Sequence, residues 1–479
     1  MKILLRLLAI AALLLLKKGI SAQDVYISDP ISLRTAVGYE LISPRKGGVL
    51  LLRDNFSNVQ VMGFDDEMGK AWEKDLKLDH RRPQIIRSIS HEDGFSVVYI
   101  YRKDGQAHIK IHRYNAAANL TDSLTIAHLP GTIYELNLRT LVSEDRTKLL
   151  VYQRKFQGRL WMLAFDLEHM KELWSDEKSI DELASSRFFS DILLDNRGRA
   201  YLLVEENNKR TKLPNHRLLI FTFDGSGSSA SNPFSVPMPE HVHNSQLYRY
   251  DNLNRQIVGG GLYSGENLNR TAGSFYLRFD TEKPETPAVL TYQAYSKELL
   301  RKLSSRNNFN KELTYAEINN LVSRQDGGML LICERVHLFE RNKGVNNTAP
   351  NRFADHFAVD YYYDEVFVFS YAPDGKLDWF NILHKKQYSQ NDEGAFSSYF
   401  PSTTTARVFL LFNDEIRYEN TVSAYEITST GTAQRKTLFN TQHLQLQLRF
   451  VEALQVDAKT VVIPSEKRNS LKLVKVTLP

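Results

Sequence analysis

From Tyr39 onward the chain alternates short apolar runs with polar breaks, and the breaks of Asp, Asn, Gly and Lys return every eight to twelve positions. That rhythm predicts strands, because a strand of typical length buries one run and reverses at each break. Val49-Leu50-Leu51-Leu52, Ser96-Val97-Val98-Tyr99-Ile100-Tyr101, Leu149-Leu150-Val151-Tyr152 and Tyr201-Leu202-Leu203-Val204 have the length and content of buried strands. So do Met329-Leu330-Leu331-Ile332 and Val408-Phe409-Leu410-Leu411-Phe412. Many follow a turn signal: Arg45-Lys46-Gly47-Gly48, Glu92-Asp93-Gly94, Asp195-Asn196-Arg197-Gly198 and Gln325-Asp326-Gly327-Gly328. Their glycines suit turn positions that need a positive φ.

A second landmark closes each unit, an aromatic followed by a turn-forming or acidic residue. It occurs at Phe64-Asp65, Tyr114-Asn115, Phe165-Asp166, Phe223-Asp224, Phe279-Asp280, Tyr371-Ala372 and Tyr425-Glu426. Neighbouring landmarks stand 50, 51, 58, 56, 92 and 54 residues apart, and one more step reaches the C-terminal run 471–478. A strand-only repeat near 50 residues is the signature of a β-propeller. The expected fold is all-β, a propeller of eight blades, or of seven if the first or sixth unit is not a blade. The last unit, 445–479, has room for about three strands. Val25-Tyr26-Ile27-Ser28 has no other partner, so pairing it with that unit would close the ring and remove two sheet edges. The 92-residue interval holds the one helical insertion, near 295–315, where residues 296–304 put Leu299, Leu300 and Leu303 on one face. The polar stretch 305–310 follows, and a second insertion, 341–357, contains Pro350. Such insertions leave a repeat fold on one face, either to bind or to pack on the rim.

Three of the four tryptophans stand just beyond a landmark turn. Trp72 follows Phe64-Asp65 and Gly69-Lys70, Trp174 follows Ala164-Phe165-Asp166 and Met170-Lys171, and Trp379 follows Tyr371 and Asp374-Gly375-Lys376. Asp and Gly-Lys build the turn; a Trp at the head of the next strand can then bury ~150–250 Å² on a neighbouring blade while its N–H finds a partner. The pattern resembles the tryptophan-docking motif of propellers with PQQ-like repeats, which runs Ala, a spaced Asp, Gly-Lys, then Trp. Ala164, Asp166, Lys171 and Trp174 match at every spacing, with Met170 in place of Gly. Gly375, Lys376 and Trp379 match without the early Asp, and Trp72 falls one residue early. The resemblance covers three of about eight units. It implies kinship with quinone-dependent alcohol and sugar dehydrogenases, and with non-enzymatic members such as the eight-bladed scaffold subunit of the outer-membrane protein assembly machine. The enzymes bring a quinone, calcium and, in many alcohol dehydrogenases, two adjacent cysteines. Here Cys333 is the single cysteine, inside Leu330-Leu331-Ile332-Cys333, and reads as a small buried hydrophobe. The scaffold branch is the better fit, and no cofactor or metal is expected.

Composition bears on address more than on fold. The chain has 479 residues, 42% of them apolar and 24% charged, which is ordinary globular usage. One cysteine excludes an intrachain disulfide and a cysteine-rich zinc site. Residues 1–22 carry Lys2 and Arg6, an apolar run from Leu7 to Leu16, Lys17-Lys18, and the small residues Ser21-Ala22 before Gln23. They predict a cleaved export signal ahead of a single domain, 23–479. The run is too short to span a bilayer, and no cysteine at the cut allows a lipid anchor. The Ser-Ala-Gln ending resembles the signals of exported Bacteroidota proteins. Residues 1–22 hold four cations and no acid, so the formal charge of +5 falls to +1 on cleavage, and the electrostatic case for nucleic acid disappears. The expected location is periplasmic or outer-membrane-associated, with other envelope proteins as partners and the oligomeric state open.

Candidate chemistry is sparse. His241-Val242-His243 puts two imidazoles on one face of an extended segment with only Glu240 near. Tetrahedral zinc needs more ligands, so the pair reads as surface histidines beside Pro237 and Pro239. Glu205-Glu206 and Asp364-Glu365 would point to opposite faces of their strands, and serve a glycosidase only by meeting distant acids in the central channel. Tyr361-Tyr362-Tyr363, within the aromatic stretch 353–371, reads as blade packing ahead of a carbohydrate or peptide surface. Gly259-Gly260-Gly261 marks a bulge or a close strand approach. His384 and His443 have no supporting motif, and no nucleophile elbow, phosphate loop, zinc-protease or dinucleotide fingerprint is present. The sequence points to an exported, non-catalytic propeller that scaffolds envelope proteins in outer-membrane assembly, secretion or uptake. The competing reading is a propeller enzyme, hydrolase-like or lyase-like, acting on a polysaccharide or sugar.

Overall fold

The computed structural model describes residues 24–478, apart from 45–47, 56–57, 81–82, 132, 185–188, 227–231, 304–311, 343–356, 417–420 and 442. The proposed export signal and the polar stretch 305–310 therefore lie outside the described residues. The chain forms eight antiparallel sheets, the blades of a β-propeller. Blades 1 to 7 span 38–76, 84–130, 139–179, 189–237, 243–294, 316–383 and 400–440; blade 8 combines 454–477 with Val25–Ile27. Within blades 1 to 7 four strands follow one another in sequence order, in blade 8 the N-terminal strand takes the fourth place, and first strands of neighbouring blades lie side by side around the axis. Six of the seven aromatic landmarks close the third strands, as at Phe64 in Val59–Phe64 and Phe223 in Arg217–Phe223; in blade 7 strand Thr421–Thr428 runs on past Tyr425, and Ile427 holds the place before the turn. The 50-residue spacing is therefore one blade.

The wide interval of 92 residues, the fifth, has two sources. Strands Met329–Asn342 and Phe357–Tyr371 run 14 and 15 residues and overshoot their blade as a hairpin, and a short helix, Lys297–Leu303, precedes them. Leu299 and Leu303 of that helix are buried with Tyr295 between blades 5 and 6, so the helix packs as a cover on the propeller.

Apolar burial sits between blades. Leu150 and Met162 of blade 3 meet Leu202 and Phe221 of blade 4, Val49 and Met62 of blade 1 meet Leu471 and Leu473 of blade 8, and each of the eight junctions has such a cluster. This is how a chain beyond the size of one compact core stays folded. The circle closes where Val25, Tyr26 and Ile27 pair with Val476, Lys475 and Val474, and Ile31 with Leu471. Deleting residues 24–32 should bare an edge of blade 8. The expected result is a thermal midpoint lower by about 5 °C or more, with self-association by edge pairing. Circular dichroism and size-exclusion chromatography measure both; an unchanged midpoint and a monodisperse monomer would show that closure does not depend on this strand.

Candidate functional site

The tryptophans lie at joints between blades. Trp174, opposite Ala164 in the outer strand of blade 3, donates from Nε1 to the Gly198 carbonyl of blade 4 at 2.9 Å. Trp379, opposite Ser370 in blade 6, donates to the Ser429 carbonyl of blade 7 at 3.2 Å. Trp72, opposite Gly63 in blade 1, packs with Tyr114 and Ala118 of blade 2. The residue four positions before each Trp is left-handed: Met68 at φ 65°, Met170 at 49° and Gly375 at 83°. Met68, not Gly69, holds that place, so Trp72 is in step with the others and the one-residue offset read from the sequence disappears. Asp166 is buried and accepts the backbone N–H groups of Glu168 and His169 at 2.9 and 3.0 Å, with Lys148 Nζ at 3.5 Å. Lys171 opposes it across the hairpin and is exposed. Lys376 is also exposed and pairs with Asp374 at 2.7 Å. In blade 5, Thr291 performs the same task with no sequence signal, its Oγ1 donating to the Gly375 carbonyl at 2.7 Å. These residues do not converge on a site.

Every blade presents one end, the turn face, with its turns between strands 1 and 2 and between strands 3 and 4, and an opposite loop face. At the axis on the turn face, the inner turns of blades 7, 8, 1, 2 and 3 surround a cavity of roughly 900 Å³. Acids line it, among them Glu144, Asp145 and Asp457. Those three are engaged in structure: Asp145 accepts Ser143 Oγ at 2.6 Å and Thr147 N at 3.1 Å, Asp457 accepts Lys459 N at 2.7 Å, and Glu144 accepts Asn252 Nδ2 of blade 5 at 2.8 Å. His91 also lines the cavity, and its ring bonds Ser96 Oγ at 2.6 Å. Burial holds its pKa down at about 4, reinforced by the Arg113 guanidinium. Deeper on the inner strands of blades 1, 4 and 6, burial raises the carboxyl groups of Glu40, Asp191 and Glu317 above the usual range.

The loop face carries the overshooting hairpin, where residues 336–342 pair with 357–363 and Gln387–Gln390 adds a third strand behind. An aromatic ladder crosses it. Tyr315 stacks on His337 at 4.2 Å, His337 on Tyr362 at 5.8 Å, and Tyr362 tilts against Tyr388 at 5.0 Å. Tyr362 thus belongs to this surface, beyond the packing between blades. Arg341 fixes the tip through Asp360, at 2.6 Å from Nη2, and the Tyr388 hydroxyl at 3.0 Å. Strand Ala316–Ser323 stops pairing at Arg335, so among the described residues no strand covers the outer edge of 337–342. Leu338, Phe339 and Tyr315 remain 56%, 49% and 50% exposed there.

At the loop-face end of blade 4 a buried polar knot overturns the reading of His241-Val242-His243 as surface histidines. His243 is fully buried, because it opens the inner strand of blade 5 beneath the loop Asn208 caps. Its companions are Glu205 and His216, not His241 and Glu240. Glu205 Oε1 accepts His216 Nε2 at 2.9 Å and His243 Nδ1 at 2.7 Å, and Oε2 accepts Gln246 Nε2 at 2.6 Å and Asn208 Nδ2 at 3.2 Å. Burial pushes the carboxyl up, and the two imidazole hydrogen bonds outweigh that and hold it at about 2. Three atoms of this knot have the donor types of a metal site. Glu206 points out and pairs with Arg217 at 2.7 Å. His241 is half-buried and stacks on Tyr263 at 4.1 Å. Asp364 and Glu365 separate likewise, Glu365 pairing with Arg335 at 3.0 Å. Cys333 is buried within the core between blades 5 and 6.

No family model matches the chain, and no curated protein resembles it in sequence. Among solved structures it is similar to a polysaccharide lyase, Uly1 (9% identity, TM-score 0.42, 84% of this chain and 94% of that one). It is also similar to BamB from Moraxella catarrhalis (12%, 0.41, 94% and 100%) and to the WD40 domain of SCAP from fission yeast (8%, 0.42, 95% and 98%). At these identities the likeness carries no function across.

Two outcomes follow from the joints and the cavity. Trp174→Ala should cost ~3–5 kcal/mol in denaturant unfolding, more than Trp72→Ala or Trp379→Ala, whose rings are only half-buried; equal losses would sink the docking account. The His91 ring should titrate near 4 by NMR. Its pKa lies below the ordinary value of about 6.5, so the stability it gives is complete above that pH and drains as pH falls from there toward 4. A titration midpoint near 6.5 would contradict this.

Proposed function

We propose that the protein is an extracytoplasmic, non-catalytic binding propeller that captures an extended segment of another envelope protein on the free edge of its loop-face hairpin. The observation that carries this reading is that edge. Six residues, 337–342, have no strand on their outer side among the described residues, and exposed Leu338 and Phe339 stand along them. Folded proteins blunt or cover such edges unless they use them, since unpaired N–H and C=O groups invite another strand. A peptide added there gains main-chain hydrogen bonds, with alternate side chains read by the aromatic ladder. The export signal expected from residues 1–22 supports the location, and the resemblance of the tryptophan motif to PQQ-like repeats supports a scaffold. The acids whose bonds are described at the axial cavity are engaged in turns and joints, which weighs against chemistry at that mouth.

The carboxyls of Glu40, Asp191 and Glu317, raised by burial, favour a second reading, an enzyme acting on a polysaccharide, because a general acid is a carboxyl whose pKa its surroundings raise. One comparison separates the two. The mature protein and its Leu338→Asp/Phe339→Asp variant are used to recover partners from the native envelope, and backbone amide exchange is followed on the recovered complex. The expected outcome is one partner recovered by the parent and reduced about tenfold or more in the variant, with amides 337–342 protected in the complex. Equal recovery by both, or turnover of a glycan library that Glu40→Gln or Asp191→Asn abolishes, would overturn the binding reading.

A further inference from the structure

We propose that Glu205, His216 and His243 hold a structural divalent transition-metal ion, zinc by ligand chemistry, which clamps blade 4 to blade 5. The candidate ligand atoms are Glu205 Oε1, His216 Nε2 and His243 Nδ1, which lie within 4.8 Å of one another on fully buried side chains. The backbone fixes their positions. Glu205 is the sixth residue of strand Ala200–Glu206, His216 immediately precedes the strand paired with it, and His243 opens the first strand of blade 5.

The surroundings have the form of an outer coordination shell. The second carboxylate oxygen is held by Gln246 and Asn208, and the far nitrogen of His243 lies 3.2 Å from the Tyr292 hydroxyl. Metal-bound carboxylates and imidazoles are oriented by such partners, which also fix the imidazole tautomer. Binding needs a tautomer shift in each ring: the proton that His216 Nε2 donates to Glu205 moves to Nδ1, a buried atom without a hydrogen-bond partner among the described residues, and that on His243 Nδ1 moves to Nε2, where it is donated to Tyr292. No proton is released, and nothing is oxidised or reduced.

Charge supplies the second argument. Glu334 occupies the same place in blade 6, the sixth residue of its second strand, and is equally buried. There the carboxylate has a full counter-charge, Lys385 Nζ at 2.6 Å. Among the described residues no lysine or arginine pairs with Glu205; two imidazoles stand in that role. A buried carboxylate without a cation is costly, and an ion among two nitrogens and one oxygen completes blade 4 as Lys385 completes blade 6. Mixed imidazole and carboxylate donors suit zinc at ~2.0–2.2 Å and not calcium or magnesium, which take oxygen. The present 2.7 and 2.9 Å separations must open slightly to admit it. Because the ligands are closed off from solvent, the ion enters as the blades close and serves stability.

The mature protein, unfolded and refolded with excess zinc and then desalted, tests this by elemental analysis, alongside refolding with cobalt and with chelator. The expected result is about one tightly held zinc per chain, a visible cobalt absorption band, and a thermal midpoint higher with zinc than with chelator. Glu205→Gln and His216→Gln should remove metal and band together, while His169→Gln, at an exposed histidine, leaves both. Refolded parent protein with no retained zinc and a midpoint indifferent to metal would overturn the proposal, leaving a hydrogen-bonded knot. So would zinc that stays bound in Glu205→Gln.

Discussion

The antiparallel pairing of Val25–Ile27 with residues 474–476 joins the start of the described chain to its end, and the whole circle rests on it. Apolar burial lies between blades, so each blade is stable only while both its neighbours are in place. A break at one junction leaves two exposed faces and two open edges, and the remaining junctions cannot compensate because none of them spans more than two blades. The strand that closes the ring also buries Ile31, next to Leu471 and Leu473, in the cluster that blade 8 shares with blade 1. Closure and burial are there a single event.

Around this circle the joints on the turn face repeat one device. A side chain from one blade captures a backbone carbonyl in a turn of the next. Lys74 takes Ala117, Arg113 takes Glu168, Trp174 takes Gly198, Thr291 takes Gly375, Trp379 takes Ser429 and Lys475 takes Asp66. The chemistry of the donor varies while the acceptor stays in the backbone, so the device survives replacement of the side chain in a way a matched side-chain pair would not. This explains why the tryptophan pattern is present in three blades only. In blades 3 and 6 a tryptophan adds apolar area to the bond, in blade 1 Lys74 makes the bond beside Trp72, and Arg113, Thr291 and Lys475 make it with no tryptophan.

Blade number, turn chemistry and closure were legible because each is local and periodic. An aromatic closes the third strand in six of the blades, an Asp or Gly opens the turn, and the N-terminal strand has no other partner. The left-handed places held by Met68 and Met170 were hidden, since only glycine announces a positive φ in a sequence. Glu205, His216 and His243 were hidden for another reason. They lie 11 and 38 residues apart on two blades, and nothing in one dimension brings them together. A signal did exist: in two units an apolar run ends on Glu at the same place, Leu202-Leu203-Val204-Glu205 and Leu331-Ile332-Cys333-Glu334. Read as a strand leaving for solvent, it conceals two buried carboxylates. The interval of 92 residues looked like a helical insertion because strands of 14 and 15 residues far exceed the usual length.

The two faces are therefore free to change to different degrees. On the turn face most polar groups that stand at the joints are tied to a neighbouring blade, so an altered turn disturbs two blades at once. On the loop face the chain can lengthen between strands 2 and 3 without touching a joint, and blade 6 does so most. Its hairpin is held at the base by the Glu334 network: Lys385 bridges Glu334 to the Tyr363 carbonyl, and Ser398 and Asn319 take the second carboxylate oxygen at 2.6 and 2.7 Å. Two of those partners, Lys385 and Ser398, come from the connection that leads to blade 7. A buried ion pair adds little net stability against an apolar replacement, and its use is to fix one geometry. Here it fixes the direction in which the hairpin leaves the disc, so residues 337–342, whose outer edge no strand covers among the described residues, stand on a rigid base, and in the binding we propose the ordering cost would fall mainly on the extended partner.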